Sequence, residues 1–201
     1  MFTAQQEKWL KRVEDLFLRY GVKSITMDDV ARELGISKKN LYLFVDNKDD
    51  LVNKVLERHI QQDRAMCDLL LGSASNAVEQ MFVVIENNSS QLQQMKTNVV
   101  HDLQKYHREA WEKMQEHQRG FLYDMVRSNL ERGIREGVYR TDINLDILAK
   151  IHIASMFQLF DEALFPQQAY PKPALFREYL LHFLYGIVSD KGLLILKAKL
   201  S

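Results

Sequence analysis

A polar stretch at residues 37–40, Ser-Lys-Lys-Asn, carries side chains that could recognise the edges of bases. Lys38 and Lys39 could donate hydrogen bonds to O6 and N7 of guanine, and Asn40 could bind N6 and N7 of adenine as a pair. Leu43 could contact the methyl group of thymine. The stretch therefore predicts a surface that reads double-stranded DNA in the major groove.

Nearby hydroxyl and ammonium groups suit contacts with the DNA backbone. Ser37 offers a hydroxyl, Tyr42 a phenolic donor and Lys48 a cation. Contacts of this kind position a protein on the duplex without reading its sequence. The alternative is that the lysines form an ordinary solvated helix face and that Tyr42 packs on the neighbouring helix.

The charge of the chain is balanced, with 27 Lys and Arg against 27 Asp and Glu. Residues 1–60 hold 11 basic and 10 acidic residues, a net charge of +1. The strongly basic balance typical of nucleic-acid-binding domains is therefore missing. Any binding to DNA must come from a few cations placed locally, and a dimer would double their number.

Two short helices joined by a tight bend would position the polar stretch. Ala31 is a small residue where the helices would touch, and Gly35 follows four residues later in the turn. Five apolar residues fall where such a pair must bury side chains: Val30, Leu34, Ile36, Leu41 and Phe44. The pattern predicts a helix-turn-helix in which burial of Leu41 turns the polar residues of its second helix outward.

The composition favours helices throughout. Among 201 residues there are three prolines and eight glycines, and 46% are apolar, enough for a substantial core. Apolar residues recur at the three- and four-residue steps of a helix. We predict an all-α fold with helices over 4–20, 27–34, 38–44, 48–71, 74–87, 91–105, 108–135, 144–165 and 173–190, and we assign no structure to residues 191–201.

The segment LFLRYGVKSITMDDVARELGISKKNLYLFVDNKDDLV, residues 16–52, resembles the tetracycline-repressor (TetR) family of bacterial transcriptional regulators. The resemblance implies a three-helix DNA-binding domain at 1–46 packed on a larger helical domain at 47–201 that binds an effector and dimerises. It also implies that Thr26 caps the second helix and contacts phosphate. By the same resemblance, Tyr42 and Lys48 are phosphate contacts.

Two positions depart from the pattern of the family. Asn40 stands where a threonine is common, and Val45 replaces the usual aromatic residue, whose volume Phe44 could fill. The departures bear on which operator sequence is read. They leave the prediction of DNA binding in place.

The larger domain carries a stripe of methionines and aromatic residues that could line an effector site. Such stripes are more often plain core than pocket wall, so both interpretations stay open. An apolar or flexible ligand would suit methionine and aromatic walls. The candidate residues are Met81, Phe82, Ile85, Trp111, Met114, Gln118, Phe121, Met125, His152 and Met156.

Two long helices near the end of the chain carry more apolar residues than one face can bury. Packing them against a second copy would give a two-fold four-helix bundle, although they could also pack within their own subunit. The residues expected at this interface are Leu148, Ile151, Ser155, Leu159, Phe176, Leu180, Phe183, Leu184 and Ile187. A homodimer would read an operator of two inverted half-sites.

Several other functions lack support in the sequence. Cys67 is the single cysteine, and no signal peptide or apolar run of about 18 residues is visible, so we expect a cytoplasmic protein that does not span a membrane. Metal-ligand spacing, phosphate-binding loops and nucleophile motifs are missing, so we expect neither metal nor cofactor nor enzyme activity. The leading hypothesis is a transcriptional repressor relieved by a small molecule; an enzyme is the rival class, and a helical adaptor for protein partners is a third.

Overall fold

The computed structural model describes residues 2–71, 74–83 and 99–200, apart from the side chains of Asp68, Leu70 and Leu71. The described chain is helical, and its extended pairing is limited to a bridge between Tyr139 and Val188. This confirms the all-α prediction. The helices are α1 (Ala4–Tyr20), α2 (Met27–Leu34), α3 (Lys38–Tyr42), α4 (Lys48–Leu71), α5 (77–83), α6 (Val99–Tyr106), α7 (Arg108–His117), α8 (Tyr123–Arg135), α9 (Leu145–Gln158), α10 (Lys172–Ile187) and α11 (Asp190–Leu200), with a π-helix (Gln118–Leu122) between α7 and α8.

Local capping sets the ends of the helix-turn-helix. The Thr26 hydroxyl accepts a hydrogen bond from the Asp29 N–H, and the Asp29 carboxylate accepts one from the Thr26 N–H, which closes a capping box before α2. Gly35 ends α2 in the left-handed conformation, at φ 69° and ψ 32°. The Ser37 hydroxyl then accepts from the Asn40 N–H and begins α3.

The described residues form two compact units. The first unit contains residues 2–63 and 99–116, and the second contains 64–71, 74–83 and 117–200. The unit that carries the helix-turn-helix therefore extends beyond the predicted boundary at residue 46. It includes the first part of α4 as well as α6 and α7.

The core of the first unit joins α1–α3 to the start of α4 and to α6 and α7. Leu10, Val13, Leu41 and Leu51 are at most 1% exposed. Full burial of such a side chain contributes about 1.5–3 kcal/mol. Leu103 of α6 belongs to the same cluster. The helix-turn-helix is thus held by apolar contacts that come from outside its own 46 residues.

The core of the second unit is organised around Tyr139, which is 1% exposed. Its hydroxyl lies 3.0 Å from both the Ala77 carbonyl oxygen and Oδ1 of Asn129. Asn129 Nδ2 also donates to the Ala77 carbonyl. Gly133 lies against the Tyr139 ring so closely that a Cβ there would come within 1.9 Å of it. The two hydrogen bonds to the Ala77 carbonyl connect the start of α5 to Tyr139 and to Asn129 of α8.

Several predicted helices differ from those in the structure. The helix expected over 144–165 ends at Gln158, and the last residues, left without assignment, form α11. The helix expected over 108–135 is interrupted by the π-helix. Parts of the helices expected over 74–87 and 91–105, and the candidate residue Ile85, lie outside the described residues.

A search of the described helices for one long and apolar enough to cross a membrane finds none.

Candidate nucleic-acid interface

α3 presents an exposed polar surface because its one buried side chain is Leu41. Leu41 is fully inaccessible and packs in the core of the first unit. Lys38, Lys39 and Asn40 are exposed, Tyr42 is 43% exposed and Leu43 80% exposed. We call these five residues the reading face.

The two lysines of the reading face have different surroundings. Lys38 Nζ lies 2.9 Å from Oδ1 of Asp28, in the first turn of α2, and this contact raises the pKa of Lys38. No carboxylate in the described chain forms an ion pair with Lys39. Lys39 therefore offers its charge directly to an approaching polyanion, whereas Lys38 must first separate from Asp28 or bind together with it.

The residues predicted to contact phosphate also differ in accessibility. Thr26 is exposed, and its hydroxyl lies 2.6 Å from Oδ2 of Asp29. Lys48 is half-buried, its Nζ donates to the Lys23 carbonyl at 3.2 Å, and burial lowers its pKa. Lys48 therefore braces the loop after α1 in the free protein.

Val45, one of the two departures from the family pattern, and its neighbour Phe44 both pack in the first unit. Val45 is 2% exposed and belongs to the core of the first unit. Phe44 is partly buried, with its ring centroid 6.0 Å from that of Trp9. Lys54 Nζ lies 5.9 Å from the centroid of the Phe44 ring. Phe44 thus occupies apolar space between α1 and α4.

A largely buried ionic cluster joins α1 to α4 in the first unit. Oε2 of Glu14 lies 2.8 Å from Nη1 of Arg58, and both side chains are 6% exposed. Nδ1 of His59 lies 2.8 Å from Oε1 of Glu14. The sequence analysis did not identify this cluster, because its members are 44 and 45 residues apart and follow no local pattern.

The predicted effector residues are divided between the two units. Trp111 and Met114 are partly buried and pack against the core of the first unit. Gln118, Phe121 and Met125 belong to the second unit, and Gln118 and Phe121 lie in the π-helix. Their place in an effector site stays a prediction.

Around the π-helix, apolar and polar groups of the second unit meet. The rings of Phe121 and His117 stack with centroids 5.4 Å apart, and the Arg64 guanidinium lies 5.4 Å from the Phe121 centroid. Sγ of Cys67 is 3.3 Å from Sδ of Met125. Nε2 of Gln118 is buried and donates to no acceptor within the described residues.

The remaining described candidates for the effector site are buried, apart from Met156, which is partly buried. Met81 and Phe82 are 8% and 6% exposed and belong to the core of the second unit. Burial lowers the pKa of His152 to about 4, so its ring is neutral at pH 7, and its Nδ1 lies 3.0 Å from the Tyr179 hydroxyl. Met156 packs with Phe176 in a smaller cluster.

Most residues predicted at the dimer interface are inside the subunit. The buried ones, between 0% and 8% exposed, are Leu159, Phe176, Leu180, Phe183, Leu184 and Ile187. Side chains this inaccessible in a single chain offer little surface to a partner, and their place in a dimer interface stays a prediction. Ile151 is 52% exposed, while Leu148 and Ser155 are partly buried. Ile147 at 52% and Tyr185 at 51% are exposed apolar residues on the same two helices.

Among the described residues no group of three or more His, Cys, Asp or Glu side chains is arranged to hold a metal ion.

Comparisons with known proteins agree with this geometry. The family model for bacterial regulatory proteins of the tetR family matches residues 10–55. The HTH-type transcriptional regulator YvaF of Bacillus subtilis is 27% identical over 142 residues, which are 69% of this chain and 72% of YvaF.

Two solved structures share the fold over nearly the whole chain. A TetR-family transcriptional regulator from Agrobacterium tumefaciens superposes with a TM-score of 0.77 at 20% identity, covering 92% of this chain and 98% of that one. A transcriptional regulator from Saccharomonospora viridis, solved in complex with choline, gives 0.75 at 18% identity, covering 93% and 98%.

The matched segment holds both helices of the helix-turn-helix and the whole reading face. The curated relative and the solved neighbours are transcriptional regulators rather than enzymes. The segment that carries the reading face is therefore the part of the chain that matches the tetR family model, and the chain is similar to transcriptional regulators.

Proposed function

We propose that the chain is a dimeric repressor that binds an operator of two inverted half-sites through its reading face and is released by a small, partly apolar effector. The observation that carries the proposal is the exposure of Lys38, Lys39, Asn40 and Leu43 around the buried anchor Leu41. Burial of that one leucine sets the direction of every other side chain on α3.

Within the reading face we assign base contacts to Lys39 and Asn40 and backbone contacts to Tyr42, Ser37 and Thr26. Lys39 suits guanine and Asn40 suits adenine. Lys48 joins the phosphate contacts when its ammonium leaves the Lys23 carbonyl. Leu43 is 80% exposed, which supports a contact with a thymine methyl group.

The test is binding of the full-length protein to its own upstream DNA as salt is raised. A DNA-binding regulator loses affinity steeply with salt because phosphate contacts release counterions. We expect Lys39→Ala to weaken binding about tenfold and to relax the preference for one base, and Tyr42→Ala to weaken binding to all sequences alike. Lys8→Ala, an exposed lysine of α1 outside the reading face, is the matched control.

Repression itself is tested in cells with a reporter gene behind the same upstream region. Deleting the regulator raises expression if the protein is a repressor and lowers it if the protein is an activator. The Lys39→Ala variant should reproduce the effect of deletion. A helical adaptor would change neither the reporter nor the mobility of the DNA.

For dimerisation we propose the outer faces of α9 and α10. Ile147 and Ile151 are one turn apart on α9 and both 52% exposed, and Tyr185 on α10 is 51% exposed. Isolated exposed apolar residues are common, but three large ones on the two helices expected to pair suit a self-complementary interface. Proteins of this family bind DNA as dimers, which agrees with the proposed surface.

For the effector we propose a site beside the π-helix of the second unit. Gln118 Nε2 is a buried hydrogen-bond donor with no acceptor among the described residues, while Phe121 and Met125 supply aromatic and adaptable apolar surface. π-helices occur frequently at functional sites. The S. viridis neighbour was solved with choline, which supports binding of a small organic molecule by this fold.

A direct test of the effector site uses mass spectrometry of the compounds that copurify with the protein. Gln118→Leu removes the donor and keeps the volume, so the copurified compound should be lost while binding to DNA is retained. Retention of the compound by Gln118→Leu would place the effector elsewhere.

A further inference from the structure

Asp28 places a carboxylate on the surface that the proposed function turns toward DNA. It lies in the first turn of α2, and its Oδ1 is 2.9 Å from Nζ of Lys38 in the first turn of α3. Both side chains are open to solvent, at 62% and 52% exposed. A carboxylate at this position is repelled by phosphates, so its presence requires an explanation from recognition or from folding.

Folding accounts for only a small benefit from Asp28. The capping box of α2 is completed by Thr26 and Asp29, so Asp28 adds only the modest attraction of a first-turn carboxylate to the helix dipole. An exposed ion pair also contributes little to stability, because water screens it and two side chains must be ordered. Recognition of DNA gives the carboxylate a further role.

The two charged groups complement the two bases of one pair. Lysine donates to O6 and N7 of guanine, and a carboxylate accepts from N4 of cytosine. In a G·C pair the cytosine amino group and guanine O6 are hydrogen-bonded neighbours on the major-groove edge. A carboxylate and an ammonium held side by side therefore suit that edge. On the DNA backbone a phosphate could pair with the ammonium, but it has no donor for the carboxylate.

Resting on the proposed function, we propose that Asp28 is a specificity-determining residue: it accepts a hydrogen bond from N4 of a cytosine while Lys38 donates to the paired guanine, so that the two residues read one G·C pair in each half-site. The same carboxylate opposes binding wherever that amino group is missing. Asp28 thus raises discrimination and lowers affinity for random DNA.

The test is selection of binding sites by the full-length protein from a randomised pool of duplexes, followed by titrations on the selected site and on one with the G·C pair changed to A·T. For the unsubstituted protein we expect one position per half-site where G·C is favoured about tenfold or more. Asp28→Ala should lower that preference below about threefold at this position alone, and should bind random DNA several-fold more tightly. Lys38→Met should lose the same preference.

The matched control is Glu33→Ala, which removes another exposed carboxylate of α2, one that pairs with Arg12 at 3.3 Å. It should leave every base preference unchanged. If Asp28→Ala keeps the G·C preference, or if Glu33→Ala loses it equally, the inference is overturned while DNA binding stands. If the unsubstituted protein selects no sequence at all, the proposed function itself fails.

Discussion

At the scale of single residues, the buried pair of Glu14 and Arg58 joins α1 to α4. Each side chain is 6% exposed, and the two are 2.8 Å apart. Removing the charge of Glu14 leaves Arg58 paired with Glu7, whose Oε2 lies 3.0 Å from Nε of Arg58, so we expect a cost of about 1–3 kcal/mol, that of one lost buried charged hydrogen bond. We expect Glu14→Gln to lower the free energy of unfolding by about that amount.

Tryptophan fluorescence during urea unfolding measures this change, because Trp9 and Trp111 both pack against the core of the first unit. Asp15→Asn is the control. It breaks a partly exposed pair with Lys11 on the same helix and should cost less than about 1 kcal/mol. Equal losses for the two variants would contradict the assignment.

The same cluster predicts how stability depends on pH. Burial alone would raise the pKa of Glu14, but the hydrogen bond from His59 and nearby positive charges hold it below the usual 4.5. Burial alone would lower the pKa of His59, but the bond to Glu14 and the charge of Asp63 raise it above 6.5. Glu14 therefore stabilises the fold above pH 4.5 and loses this effect as pH falls through its lowered pKa.

His59 acts in the opposite direction. Its contribution is complete below pH 6.5 and is lost as pH rises through its raised pKa. We expect the urea midpoint to fall as pH rises above 6.5, and the fall to be smaller in His59→Gln. An identical slope in both proteins would show that another group causes the dependence.

At the scale of secondary-structure elements, local signals predicted some helix ends and long-range contacts decided others. Thr26, Gly35 and Ser37 end and begin helices through bonds to neighbours three or four residues away, so α2 and α3 could be predicted. α9 instead ends beside Leu159, whose carbonyl oxygen accepts a hydrogen bond of 3.0 Å from Nζ of Lys172. Lys172 lies thirteen residues after Leu159 in the chain. No local pattern contains that partner.

The candidate interface divides in the same way. Burial of Leu41 fixes the direction of the reading face on α3, and the apolar pattern predicted that burial. On α9 and α10 almost every face is apolar, so the sequence could not tell which one the subunit covers. The sequence also predicted one regular helix over 108–135, whereas the structure contains a π-helix at Gln118–Leu122.

The buried Lys172 gives an element-scale prediction. It is 3% exposed, and its Nζ also lies 3.2 Å from Oε1 of Glu162. Lys172→Met keeps the apolar stem but leaves the Leu159 carbonyl without its donor. We expect the free energy of unfolding to fall by about 1–3 kcal/mol. Urea denaturation monitored by circular dichroism measures this change. Lys150→Met, at an exposed i,i+4 pair, is the control and should change stability little.

The contact of α8 with Tyr139 gives another. A Cβ at Gly133 would meet ring atoms of Tyr139 at 1.9–2.5 Å, and the ring is too enclosed to move aside. We expect Gly133→Ala to destabilise the protein by about 1–3 kcal/mol or more in the same denaturation experiment. Gly120→Ala, where a Cβ meets nothing within 4 Å, should be neutral or slightly stabilising.

At the scale of the whole molecule, the proposed dimer makes binding to DNA depend on protein concentration. Ile147→Glu combined with Ile151→Glu places charges on the proposed interface, so sedimentation should show monomers where the unsubstituted chain is dimeric. Binding to two half-sites should weaken because the second head is no longer tethered. Leu194→Glu, a 71% exposed leucine of α11, is the control, and dimers in both variants would exclude this interface.

The first unit is built from two separate chain segments, and this limits how the protein can be recombined with related proteins. Its reading face stands on a core built from residues 2–63 and from 99–116, which are separated along the chain. A crossover at a single point after residue 46 would pair the incoming α1–α3 with foreign versions of Leu51, Leu103 and Ala110. A chimera that exchanges DNA specificity therefore has to transplant two segments at once, or else repack the seam between old and new core residues.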